Sequence, residues 1–97
     1  MKTEPKTKVI FRVFKEGDVI ALFPAISDSV NGYLCLSYQH IGQHGSADPM
    51  ITNNTRLAKP AEYADLLAEL KQTGYNLQIV KRFTQKDYET RKLQYAK

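Results

Sequence analysis

Lys8-Val9-Ile10-Phe11-Arg12-Val13-Phe14-Lys15-Glu16-Gly17-Asp18-Val19-Ile20-Ala21-Leu22-Phe23-Pro24 is the stretch whose reading decides the fold. Val9, Phe11 and Val13 alternate with Ile10, Arg12 and Phe14 in a run of β-branched and aromatic residues, which is the pattern of a half-buried strand over residues 8–15. Gly17 then stands where a tight reversal needs positive φ, and the apolar run resumes at once over residues 19–23. The two segments are predicted to pair as a β-hairpin. Pro24 has no amide hydrogen to give a ladder and is expected to end the second strand. A polar loop through Ser27, Asp28, Ser29, Asn31 and Gly32 leads to residues 33–38, a third strand with Leu34, Leu36 and Tyr38 on one face and Tyr33, Cys35 and Ser37 on the other.

Further along, periodicity is lost from Gln39 to Lys59, where Gly42, Gly45, Pro49 and Asn53-Asn54 interrupt any long element. A loop of that length is uncommon in a compact domain and is often functional. The helix after it is well marked. Pro60 suits the first helical position, Glu62 and Asp65 suit its positive end, Gly74 suits the position past its C-terminus, and Tyr63, Leu66, Leu67 and Leu70 form one apolar stripe. Residues 76–83 alternate again and return as a fourth strand. Thr84 and Asp87 have the spacing of a capping pair, and Asp87 and Arg91 that of an i, i+4 ion pair, so residues 85–95 form either a short helix or a frayed tail. The expected architecture is α+β, a two-layer sandwich of a mainly antiparallel four-stranded sheet and one main helix in the order β-β-β-α-β. One domain, 1–97, is expected, with its core over residues 8–83 and tails at 1–7 and 84–97.

The chain has 97 residues, 42% of them hydrophobic and 25% charged, with four prolines and five glycines. That composition excludes disordered and collagen-like classes, and the length excludes two domains. No apolar run approaches the roughly 20 residues of a membrane span. No secretory-signal pattern follows Met1-Lys2-Thr3-Glu4-Pro5, and the single cysteine, Cys35, fits a reducing compartment. The expected location is cytoplasmic, without membrane contact. Charge is uneven: residues 1–16 carry a net +3, residues 17–55 contain no lysine or arginine and carry −3 from Asp18, Asp28 and Asp48, and residues 56–97 carry +4. Such polarity predicts a bipolar surface suited to an anionic partner on one side, although lysine-rich tails also serve solubility alone.

With Val9, Phe11, Val13, Leu34, Leu36, Leu77 and Ile79 turned to the helix, the other sheet face is expected to be open. It would present Lys8, Ile10, Arg12, Phe14, Tyr33, Cys35, Gln78, Val80 and Arg82. Aromatic and basic residues on an open sheet suit stacking on nucleobases and contact with phosphates, and equally suit a homodimer or protein interface. No basic-glycine-aromatic signature of an RNA-binding sheet is present. Lys8, Arg12, Phe14, Tyr33 and Arg82 are the candidate partner face, and the long loop supplies the candidate functional residues His40, Gln43, His44, Ser46 and Asp48.

Cys35, His40, His44 and Asp48 have zinc-ligand side chains, but Gly42 and Gly45 oppose the helix that would make histidines four apart converge, and no second ligand pair exists. Hydrogen bonding within the loop is the simpler use of these histidines, and no metal or cofactor is expected. His40, His44, Ser46 and Asp48 contain the residue types of a nucleophilic triad without a Gly-x-Ser-x-Gly elbow or convergent supporting elements. Gly42-Gln43-His44-Gly45-Ser46 lacks the lysine and following helix of a phosphate loop. No catalytic residue is assigned.

The runs Val9-Ile10-Phe11-Arg12-Val13-Phe14, Gly17-Asp18-Val19-Ile20-Ala21-Leu22-Phe23-Pro24 and Gly32-Tyr33-Leu34-Cys35-Leu36-Ser37-Tyr38-Gln39-His40-Ile41-Gly42-Gln43-His44-Gly45 resemble a small family of uncharacterised bacterial proteins associated with phage and other mobile elements. The resemblance covers residues 8–83. It implies a bacterial cytoplasmic setting and an accessory role, and it brings no activity, cofactor or site. The expected function is a non-catalytic binding module with an unknown protein partner or a second copy of itself, acting through residues 39–55 and the open sheet face. The alternative is a nucleic-acid-binding accessory protein using Lys8, Arg12, Lys15, Lys81 and Arg82. A metal-dependent or hydrolytic enzyme at His40 and His44 is the third reading.

Overall fold

The computed structural model describes residues 6–28, 32–39 and 44–94. Its elements are β1 (Thr7–Phe14), β2 (Val19–Ser27), β3 (Cys35–Tyr38), β4 (His44–Ala47), a 3₁₀ turn (Pro49–Asn54), β5 (Thr55–Leu57), α1 (Pro60–Gln72), β6 (Leu77–Ile79) and α2 (Gln85–Leu93). The α+β class and the antiparallel character of the sheet match expectation. The strand count does not, because the sheet has six strands instead of four. Their order is β4-β3-β2-β1-β5, with β6 also paired to β1 and parallel to it. The Val9 and Phe11 carbonyls point to the same edge of β1 and accept from the Val80 and Ala58 amides, each at 2.9 Å. β5 and β6 therefore share that edge, one after the other.

The hairpin forms as the sequence dictates. Phe14 and Asp18 close it, and Gly17 takes φ +102° in the turn. Pro24, however, does not end β2. The strand runs on to Ser27 through a register irregularity between Phe23 and Ser27, and a proline is tolerated inside a sheet where the ladder is already broken.

Alternation along β1 and β2 builds a core on each side of the sheet. Val9, Phe11, Ala21, Phe23 and Tyr38 face α1 and pack with its Leu66 and Leu70, while Tyr63 stacks on Phe11 with ring centroids 4.4 Å apart. Full burial of a leucine is worth roughly 1.5–3 kcal/mol, so α1 is held mainly by its apolar stripe. Leu34 is half-buried and Ile79 is 45% exposed, so neither belongs to the buried core as expected.

The expected open face is instead a second core. Ile10, Ile20, Leu22, Cys35 and Ala47 are buried there beneath Phe14, Ile51, Val80 and Phe83. The two-layer picture is corrected for this reason: the chain after β6 crosses to the far side of the sheet and lays α2 over it. Residues 84–94 are thus a docked layer rather than a tail. Thr84 caps α2 reciprocally, its Oγ1 accepting from the Asp87 amide at 3.1 Å while its own amide donates to Asp87 Oδ2 at 3.0 Å.

Contacts between α2 and the sheet are mostly polar. Arg91, 3% exposed, donates from Nε to the Gly32 carbonyl at 2.8 Å and from Nη1 to the Pro24 carbonyl at 2.5 Å. Gln94 donates to the Ala25 carbonyl at 2.6 Å and accepts from the Ser27 amide at 2.8 Å. Pro24, Ala25 and Ser27 belong to the irregular stretch of β2, where Arg91 and the cap residue Gln94 supply partners at the break in the ladder. Asp87, 2% exposed, pairs with Lys8 at 3.1 Å in place of the expected Asp87 to Arg91 ion pair. Gly32 has φ +75°, and a Cβ there would lie 2.7 Å from the Lys92 backbone, so the helix approaches at a distance only glycine allows.

Candidate functional site

α2 covers one part of the second face and the 3₁₀ turn borders another. Between the 3₁₀ turn and β4 lies a groove of about 590 Å³. Its floor is Phe14, Ile20, Ser37, Gly45 and Ile51, and its rim includes Gln39, Asp48, Met50 and Asn54. Gly45 and Ser37 are register partners, so both residues reach the floor from adjacent strands. The Ser37 hydroxyl donates to the Gly45 carbonyl at 3.0 Å. Glycine in a strand often marks a place where another chain or ligand comes close. At Gly45 a Cβ would meet only the Ser37 hydroxyl, at 3.8 Å, so glycine is not needed there for packing.

β4 forms one end of the sheet, and among the described residues it pairs with β3 alone. Among the described residues, the groove therefore runs beside an unpaired strand edge. Arg12 braces the opposite wall: its Nε donates to Thr55 Oγ1 at 2.8 Å, and its Nη2 to the carbonyls of Thr55 and Thr52 at 2.6 and 3.2 Å. The Thr55 hydroxyl donates in turn to the Ile51 carbonyl at 2.9 Å. This network fixes the 3₁₀ turn against β1.

Asp48 sits at the start of the 3₁₀ turn, where its Oδ1 accepts from the Met50 amide at 2.8 Å. Tyr33 hydrogen-bonds the same carboxylate, and that bond, more than burial, raises the phenol above its ordinary range. Tyr33 is 43% exposed and Met50 57% exposed, so an aromatic ring and a flexible thioether flank the carboxylate at the surface.

Of the other loop candidates, His44 and Ser46 also line the groove, although their side chains bond elsewhere. His40 and Gln43 lie outside the described residues. His44 turns to the α1 side of the sheet, edge-on to Tyr38 with ring centroids 4.7 Å apart and with Nε2 2.8 Å from the Tyr75 hydroxyl. Tyr38 donates to Glu69 on α1. Ser46 donates to Asp28 and does not meet His44. Cys35 is fully buried in the second core, where desolvation pushes its thiol up to about 11. Cys35 and His44 thus face opposite sides of the sheet, and no group of three or more metal-ligating side chains occurs among the described residues.

Of the candidate partner face, Lys8 is paired with Asp87, Arg12 braces the 3₁₀ turn, and Phe14 belongs to the groove floor. Tyr33 stands beside Asp48, while Arg82 is exposed in the link between β6 and α2. The sequence reading named Phe14, His44, Ser46 and Asp48 but missed Ile20, Met50 and Ile51. The available signal was the apolar pair Met50-Ile51 after Pro49 inside an otherwise polar stretch. No described helix is long and apolar enough to cross a membrane. Comparison with known proteins finds no matching family model, no similar curated protein and no similar solved structure.

Proposed function

We propose that this chain is a non-catalytic binding module that receives an extended segment of another protein in the groove beside β4. The observation that carries this reading is a groove with Phe14, Ile20 and Ile51 on its floor, a hydrogen-bonding rim and, among the described residues, an unpaired strand edge along one side. An extended segment added to such an edge gains main-chain hydrogen bonds, and the pockets beside it select side chains. Tyrosine and methionine at the rim suit a protein contact, since both are enriched at interfaces. The alternative, a nucleic-acid interface on the sheet, is less well supported because Lys8 and Arg12 are engaged within the fold and the groove rim carries an aspartate and no cation.

The test is selection from a displayed library of random peptides on the wild-type chain and on Gly45→Leu, whose Cβ meets only the Ser37 hydroxyl, at 3.8 Å, and whose remaining atoms extend over the floor. The expected result is a set of related peptides retained by the wild type and lost on Gly45→Leu. Failure to enrich any peptide, or equal enrichment on both proteins, overturns the reading.

A further inference from the structure

The groove lies in the part of the chain that has no cationic side chain. Residues 17–55 contain no lysine or arginine, and apart from Phe14 every residue lining the groove falls within that span. The charged group on its rim is Asp48. Asp48 accepts from the Met50 amide and from Tyr33, which leaves lone pairs on a carboxylate that has about four acceptor sites. The exposed Tyr33 ring stands beside it. A carboxylate with lone pairs to spare is a partner for an ammonium or guanidinium group, and a neighbouring aromatic ring adds a contact for the same cation.

We propose that the occupant of this groove is a cationic extended segment of a partner protein. A lysine or arginine of that segment engages Asp48 and Tyr33, and a neighbouring apolar side chain lies on the floor over Gly45. This inference rests on the protein-binding reading and adds the sign of the partner's charge.

The experiment measures binding of three short peptide series by fluorescence anisotropy, with apolar residues alternating with lysine or arginine, with glutamine, or with glutamate. Wild type, Asp48→Asn and Gly45→Leu are compared; asparagine retains the capping role of Asp48 and so keeps the 3₁₀ turn. The expected result is binding of the cationic series at least about tenfold tighter than the glutamate series at low salt, a gap that narrows as salt screens it. Asp48→Asn should weaken the cationic series several-fold and leave the glutamine series unchanged. Equal or tighter binding of the glutamate series, or no effect of Asp48→Asn, overturns the charge assignment. If the uncharged series still binds the wild type and is lost on Gly45→Leu, the groove reading survives that failure. If Gly45→Leu changes no series, the groove reading falls with it.

Discussion

α1 holds its face of the sheet with Leu66, Leu70 and the Tyr63 ring, whereas α2 holds the opposite face with Arg91, Asp87 and Gln94. The first contact is non-directional and scales with apolar area, so it tolerates small shifts. The second depends on hydrogen bonds from two side chains to the carbonyls of Pro24, Ala25 and Gly32, and it fails if those groups move. One face is therefore sealed and the other is divided, with a polar-docked helix over one part and the groove beside another. A fold arranged this way buries a core on both faces and leaves the groove region of the second face for contact.

The largest effect should come from Leu70→Ala, which opens a cavity at a fully buried position under α1. A loss of about 2–5 kcal/mol in urea unfolding is expected, with all regions unfolding together. Arg91→Ala comes next. It leaves the Gly32 and Pro24 carbonyls without their donor, and a total loss of roughly 1–3 kcal/mol is expected. Hydrogen exchange should quicken in α2 well before α1, and uniform acceleration would remove the contrast between the helices. Gly32→Ala should act on the same dock by strain at positive φ and by the approach of Lys92, at about 1–3 kcal/mol.

The smallest effect concerns the surface. Arg56 bonds both Glu62 oxygens, at 2.8 and 2.6 Å, and the Lys59 amide donates to Oε1 at 2.8 Å. With the Arg56 bond as the larger cause, these hold the Glu62 carboxyl down from 4.5 to about 2. Because the folded value is depressed, the contribution is present above about pH 4.5 and fades as pH falls toward 2. In Arg56→Ala the carboxyl should titrate closer to its ordinary value in a carbon-detected NMR titration, with the fold at neutral pH unchanged. An unmoved midpoint would show that Arg56 is not the cause.

The same contrast explains how much was legible in the sequence. The hairpin, α1 and both capping signals could be read, because each depends on neighbours at fixed spacing: alternation around Gly17, the Tyr63-Leu66-Leu67-Leu70 stripe, and Thr84 before Asp87. β4, β5 and β6 are three or four residues long and contain sequences such as His44-Gly45-Ser46-Ala47, too short and too poor in β-branched residues for a period to register. The crossing of α2 to the far face was hidden for another reason. Its anchors reach backbone carbonyls at an irregularity in β2, and no side-chain pattern records where a backbone will be unpaired. Of the site, Phe14 was named for a partner face and His44, Ser46 and Asp48 for a functional loop, while the floor at Ile20, Ser37 and Ile51 required the fold to bring three segments together.

The most direct test of the divided second face is an amide NMR map of the labelled chain with a selected peptide added. The account predicts shifts concentrated at Ile20, Ser37, Gly45, Asp48 and Ile51, with α1 unaffected. Shifts centred on α1, or on Lys81 and Arg82 beyond β6, would contradict it.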